Sequence, residues 1–103
     1  MQAADAAREI LNVFDDDRRR IESLGRPAAS ALRVHQLLQQ KPIIAIPDAA
    51  QRLGISAPTV SKSVQHMERL GILREITGKQ CGRPFVYDEY LGILSRGTEP
   101  LPR

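Results

Sequence analysis

The sequence has a single cysteine and no long apolar run. One thiol, Cys81, excludes an internal disulfide and a cysteine-rich zinc site. No apolar stretch approaches the roughly 20 residues that a membrane-spanning helix needs. The N-terminal segment carries Asp5 and Glu9, where a secretory signal peptide would be uniformly apolar. We therefore expect a cytoplasmic protein that does not associate with membranes.

Recognisable catalytic motifs are also missing. No nucleophile–base pair, metal-ligand spacing or phosphate-cradling glycine loop can be assembled from these residues. His35 has no partner in the sequence that would make it a metal ligand. We therefore predict that the chain is not an enzyme, has no catalytic residues and needs neither a metal nor a cofactor.

Positive charge is concentrated in the second half of the chain. The net charge of +3 over 103 residues is too small to indicate a nucleic-acid partner by itself. Residues 1–26 hold five basic and six acidic side chains, whereas residues 51–83 hold six basic and two acidic ones. The region after residue 50 is therefore where an anionic partner would bind.

The first predicted element is a long helix over residues 3–24. Alanines are frequent there, and four apolar residues recur at helical spacing on one face: Ile10, Phe14, Ile21 and Leu24. Three aspartates and then three arginines, at 15–20, stand at the spacing of helical ion pairs. This run favours a self-neutralised solvent face over a phosphate-binding cluster.

The remaining boundaries follow from glycine and proline. Gly25 and Pro27 end the first helix, and a second helix is predicted at about 28–39, followed by a short strand at 43–46. We divide the chain into three parts. Residues 1–26 form an N-terminal helix that serves as a linker, docking or dimerisation segment. Residues 27–97 form the winged helix-turn-helix domain, and residues 98–103 form a disordered tail.

A helix-turn-helix is indicated between residues 46 and 70. Ala50 allows close approach of two helices, Gly54 can adopt the positive φ of the turn, and Val60 fills the angle between the helices. The second helix is predicted at about 57–70, with Ser56 as its cap. Such a unit usually presents its second helix to the major groove of DNA.

The segment after Gly71 predicts a wing. Residues 72–77 and 85–87 indicate two strands, joined by a polar turn with two glycines, and a short helix is predicted at 88–95. The expected fold class is therefore mainly α with a small β-wing, a winged helix-turn-helix preceded by a long N-terminal helix.

The second helix of the motif has a polar face that suits contacts with DNA. On its opposite face Val60, Val64, Met67 and Leu70 are predicted to enter the core. Any surface helix carries polar residues outward, but this one has a single acid, Glu68. Hydrogen-bonding and basic side chains bind base edges and phosphates. The predicted DNA-binding residues are Ser56, Thr59, Ser61, Lys62, Gln65 and Arg69 on this helix, with Lys79 and Arg83 in the wing.

Several stretches resemble a known family. Residues 25–32, 41–43, 54–60, 70–78 and 85–94 together resemble the C-terminal winged-helix region of Fic-family proteins. Proteins of that type carry upstream a core that transfers a nucleotide monophosphate from ATP to a protein hydroxyl. Its His-Pro-Phe-x-x-Gly-Asn-Gly-Arg motif does not occur in this sequence. The resemblance thus implies an excised C-terminal domain or a free-standing relative, without catalysis by these residues.

Two functions of different classes remain open. The first is a transcription-regulator-like module that binds double-stranded DNA. The second is a protein-interaction arm, in which the N-terminal helix docks on a Fic core or pairs with a second copy of the chain. In that case Ile10, Phe14 and Ile21 are expected to form an exposed apolar stripe.

Overall fold

A computed structural model describes residues 3–76 and 84–97. Within these ranges the helices are α1 (Ala3–Glu22), α2 (Ala28–Gln40), α3 (Ile46–Leu53), α4 (Ala57–Arg69) and α5 (Asp88–Gly97), and the strands are β1 (Ile43–Ala45), β2 (Arg74–Glu75) and β3 (Pro84–Val86). This order confirms the predicted fold class, a mainly helical winged helix-turn-helix with a long first helix. The predicted tail, 98–103, lies outside the described residues. No helix in the described ranges combines the length and hydropathy required to cross a membrane.

The three strands form one antiparallel sheet in the order β1-β3-β2. Ile44 of β1 lies opposite Phe85 of β3, and both side chains are buried. The short run after α2 is therefore not an isolated extended segment, because it pairs with the strand that returns to the domain about 40 residues later.

β2 is shorter than the strand predicted over 72–77, because the first two of these residues complete the end of α4. The backbone N–H groups of Ile72 and Leu73 both donate to the carbonyl of Met67, at 2.9 and 3.4 Å. Gly71, with φ of 80°, makes this reversal of the chain. Both side chains are buried, so the segment serves as a helix cap that enters the core before pairing begins.

The core lies between α2, α4 and the sheet. Val60, Val64 and Met67 of α4 are wholly buried, as predicted, and Leu70 packs half-buried against the same cluster. α2 contributes Ala31, Val34, Leu37 and Leu38. Because the apolar face of α4 is used in this way, the rotation of the helix about its axis is determined, and with it which side chains face outward.

α1 packs on α2 and α5. Its Ile21 is wholly buried, and Phe14 packs against the core with its ring centroid 4.7 Å from that of Tyr90. The exposed stripe expected under the interaction hypothesis is therefore wrong for these two residues. Their apolar surface is covered by the helices that follow in the same chain.

Candidate nucleic-acid interface

The turn between α3 and α4 is set by backbone conformation. Gly54 has φ of 67° and donates its N–H to the carbonyl of Ala50 at 2.9 Å. A Cβ atom at this position would meet nothing within 4 Å, so glycine is required for its positive φ and not for space. Arg33 of α2 donates to the carbonyl of Leu53 at 2.6 Å. The end of α3 is thereby held to α2, which orients the helix that follows.

The start of α4 is capped by Ser56. Its Oγ accepts from the backbone N–H of Thr59 at 3.2 Å and lies 2.8 Å from the hydroxyl of that residue. Pro58 occupies the first turn, where its missing N–H costs nothing. Two of the predicted DNA-binding hydroxyls, those of Ser56 and Thr59, thus already serve the local structure.

The other end of α4 is held by α1. The guanidinium of Arg20 donates to the carbonyl of Leu70, the cap residue of α4. A cation at this end also interacts favourably with the helix dipole. The long first helix therefore helps to fix the position of α4.

Lys62, Gln65 and Arg69 are exposed on the side of α4 that faces away from the core. The amide of Gln65 lies 3.4 Å from Oγ of the half-buried Ser61. Neither Lys62 nor Arg69 forms an ion pair or hydrogen bond with any residue that the structure describes. These two cations are therefore available to an external anion without breaking an internal contact.

The two wing residues predicted to contact DNA, Lys79 and Arg83, lie outside the described residues. Their role stays a prediction.

A cavity of about 290 Å³ opens beside α4. It is lined by residues from the start of α2 and from one side of α4: Arg26, Pro27, Ser30, Thr59, Lys62, Ser63 and His66. We call it the α2–α4 cavity. Sequence reasoning placed Lys62 and Thr59 at the interface but missed Arg26, Ser30 and Ser63. The sequence around Arg26 could not indicate this cavity, because the α4 residues that line its other side lie more than 30 positions later in the chain.

A buried polar network lies on the other side of the domain. The hydroxyl of Tyr87 donates to Oδ2 of Asp17 at 2.7 Å and lies 3.0 Å from Nε2 of His35. Since the single hydroxyl proton is used toward the carboxylate, His35 must donate through Nε2. Its Nδ1 then accepts from the Gln39 amide at 3.2 Å. A neutral imidazole with its proton on Nε2 satisfies every member of the chain.

The environment of the network agrees with that protonation state. Burial lowers the pKa of His35 below its ordinary value of 6.5, the Asp17 carboxylate partly opposes the shift, and Arg18 adds to it. Burial, followed by the bond to Asp17, raises the pKa of Tyr87 far above its ordinary value. Asp17, predicted within a solvated acidic run, is only 4% exposed, because α1 turns this position toward Tyr87. That prediction was wrong for this residue.

Comparison with known proteins supports the fold. A protein-family model described as winged helix-turn-helix DNA-binding matches residues 29–74, which run from the start of α2 to the start of β2. No curated protein matches the sequence. Neither this family nor the structures named below are described as Fic proteins, so the resemblance to the Fic C-terminal region stays a prediction.

Two solved structures are similar over most of the chain. A MarR family protein from Bacillus stearothermophilus is 18% identical, with 96% of this chain and 75% of that one covered and a TM-score of 0.48. The M. tuberculosis transcriptional regulator MosR is 22% identical, with 92% and 67% covered and a TM-score of 0.42.

Proposed function

We propose that this chain binds double-stranded DNA through α4 and acts as a transcription-regulator-like module. The observation that carries the proposal is the outward face of α4, where Lys62 and Arg69 are exposed and have no internal partner among the described residues. The match of residues 29–74 to a winged helix-turn-helix DNA-binding family supports it.

Each side chain on this face suits a particular contact. A lysine or arginine can bind phosphate oxygens or the O6 and N7 acceptors of guanine, and a glutamine can bind the N6 and N7 edge of adenine. Lys62 and Arg69 would therefore contribute affinity, and Gln65 would contribute sequence preference. The first turn of α4 holds no acidic residue, which leaves its positive end free to approach a phosphate.

The test is duplex binding by fluorescence anisotropy at two salt concentrations. We expect affinity to fall steeply between about 50 and about 200 mM salt. Lysine and arginine side chains that bind phosphates release the counterions of the DNA, and added salt opposes that release. The double variant Lys62→Ala/Arg69→Ala should weaken binding and flatten the plot of log K against log salt by about 0.9 for each lost phosphate contact. Its unfolding free energy should change by less than about 0.5 kcal/mol, since neither side chain has an internal partner in the described structure.

The matched control removes two arginines elsewhere. Arg18→Ala/Arg19→Ala makes the same change in net charge, but both side chains lie on α1 and are paired with Asp15. We expect nearly wild-type DNA binding from this control. Failure of the wild-type chain to bind any duplex at low salt would contradict the proposal. Equal loss in both double variants would mean that binding follows net charge and not the face of α4.

A second candidate function is pairing with another copy of the chain through α1. The observation that favours it is Leu11, 65% exposed on the side of α1 left uncovered by α2 and α5. Light scattering of the wild type and of Leu11→Asp tests it, since a dimer that uses this face should dissociate in the variant. Docking of α1 on a Fic core stays a prediction.

A further inference from the structure

The α2–α4 cavity is lined by cations and by no carboxylate among the described residues. Arg26 approaches it from the chain segment before α2, and Lys62 approaches it from α4. Its volume of about 290 Å³ lies near the lower end for ligand pockets, about 300 Å³. Such a space suits a compact anionic group better than an extended organic molecule.

Neither of the two cations forms an ion pair with a described residue. Seven of the twelve lysines and arginines in the described ranges are paired with a carboxylate, namely Arg18, Arg19, Arg20, Lys41, Arg52, Arg74 and Arg96. Arg26 and Lys62 belong to the other five and make no side-chain hydrogen bond to a described residue either. Positive charge at the cavity is therefore left without internal compensation.

The start of α2 adds hydrogen-bond donors. Pro27 is the residue before this 13-residue helix, so no side chain caps it, and its first turn holds no acid. The backbone N–H groups of Ala29 and Ser30 have no partner among the described residues. Free donors at the positive end of a helix favour an anion.

Ser63 provides an independent observation. It lines the cavity, is only 2% exposed, and its hydroxyl bonds to no residue in the described ranges. Every fully enclosed side-chain nitrogen or oxygen described here has a partner, so the small exposed part of Ser63 includes its hydroxyl. A nearly buried hydroxyl at the wall of a cationic cavity, with no partner among the described residues, can donate to a bound anion.

We propose that the α2–α4 cavity binds a phosphate group, with charge from Arg26 and Lys62 and hydrogen bonds from Ser63 and the first turn of α2. The phosphate can come from two sources. The first is the backbone of the duplex that α4 binds, and this alternative rests on the function proposed above. The second is free phosphate, which requires no DNA.

The duplex arm of the test uses Arg26→Ala, because Arg26 lies outside α4 and was not part of the proposed base-reading face. If a backbone phosphate occupies the cavity, the slope of log K against log salt should flatten by about 0.9, to the same extent for any duplex sequence. Arg8→Ala is the control, since Arg8 is also exposed and without an ion pair in the described structure but does not line the cavity. It should leave the slope unchanged.

The free-phosphate arm uses amide NMR shifts of the isolated chain, with inorganic phosphate titrated at constant ionic strength. Shifts of Ser30 and Ser63 that saturate in the wild type and disappear in Arg26→Ala support a phosphate site. If these saturable shifts appear in the wild type but Arg26→Ala leaves the slope of log K against log salt unchanged, free phosphate is assigned as the ligand. No saturable shift, together with an unchanged slope in Arg26→Ala, overturns the proposal. If the wild type binds no duplex, the proposed function fails, and this arm still decides the cavity.

Discussion

The two sides of this domain differ in whether their polar and charged groups already have partners. Where α1 meets α2 and α5, the hydroxyl of Tyr87 bonds to both Asp17 and His35, and Tyr90 donates to the carbonyl of Gln39 at 2.8 Å. Along α4 and the α2–α4 cavity, no partner within the described residues is found for the side chains of Arg26, Lys62, Ser63 and Arg69. A group that has its partner inside the fold contributes to stability, whereas one without a partner is available to a ligand.

This difference predicts that substitutions on the two sides have separate effects. Changes in the network should lower the unfolding free energy and leave DNA affinity of the folded chain unchanged. Changes on the outward face of α4 should weaken DNA binding and leave the unfolding free energy nearly unchanged. The following substitutions test that separation.

Tyr87→Phe should have the largest effect on stability. It keeps the ring, which lies against Phe14 and His35, but removes the bonds to Asp17 and His35. A buried carboxylate then loses a donor, which we expect to cost about 1–3 kcal/mol in urea unfolding. Tyr90→Phe is the matched control, because it loses one bond to a backbone carbonyl at a half-buried site. A Tyr87→Phe chain as stable as that control would contradict the network's role.

His35 should make stability depend on pH. Because its pKa is lowered in the folded state, the unfolded chain binds the proton more readily in the range below 6.5. Stability should therefore be fully present above that value and be lost as pH falls, with a slope of at most about 1.4 kcal/mol per pH unit for one proton. Thermal unfolding of the wild type and of His35→Gln from about pH 7.5 to about pH 5 measures it. An equal slope in the variant would assign the dependence to other groups.

Local sequence signals were sufficient to predict the helix-turn-helix. Ala50, Gly54 and Val60 lie within eleven consecutive residues, and their sizes and conformational preferences specify the crossing by themselves. The rotation of α4 followed from its apolar spacing in the same way, so the exposed position of Lys62, Gln65 and Arg69 could be predicted.

Contacts between distant residues could not be predicted in this way. Asp17 and Tyr87 are 70 positions apart, and the acidic run around Asp17 indicated a solvated helix face. The cavity likewise depends on where the start of α2 meets α4. Both features arise from tertiary packing, which turns residues with ordinary local patterns toward one another.

Substitutions at Ser56 test whether stability and DNA binding are separate at one residue, and their expected effect on stability is smaller. Ser56→Ala removes the cap of α4 and should cost about 1 kcal/mol, whereas Ser56→Gly should cost only a few tenths. Both variants lack the hydroxyl. If the hydroxyl serves only the cap, folded chains of both variants should bind duplex like the wild type. Equal weakening of duplex binding in the two would instead assign Ser56 to the DNA contact predicted from the sequence.

Arg19→Ala should have the smallest effect. Arg19 is 71% exposed in its side chain and pairs with Asp15 at 2.8 Å across one helical turn. Asp15 keeps its pair with Arg18 after the substitution, and exposed helical pairs contribute only about 0.3–0.5 kcal/mol. We expect urea unfolding to shift by no more than this, and duplex binding to be unchanged. A loss above about 1 kcal/mol would exceed what exposed pairs provide. It would mean that Arg19 stabilises the fold by more than its pair with Asp15 within α1.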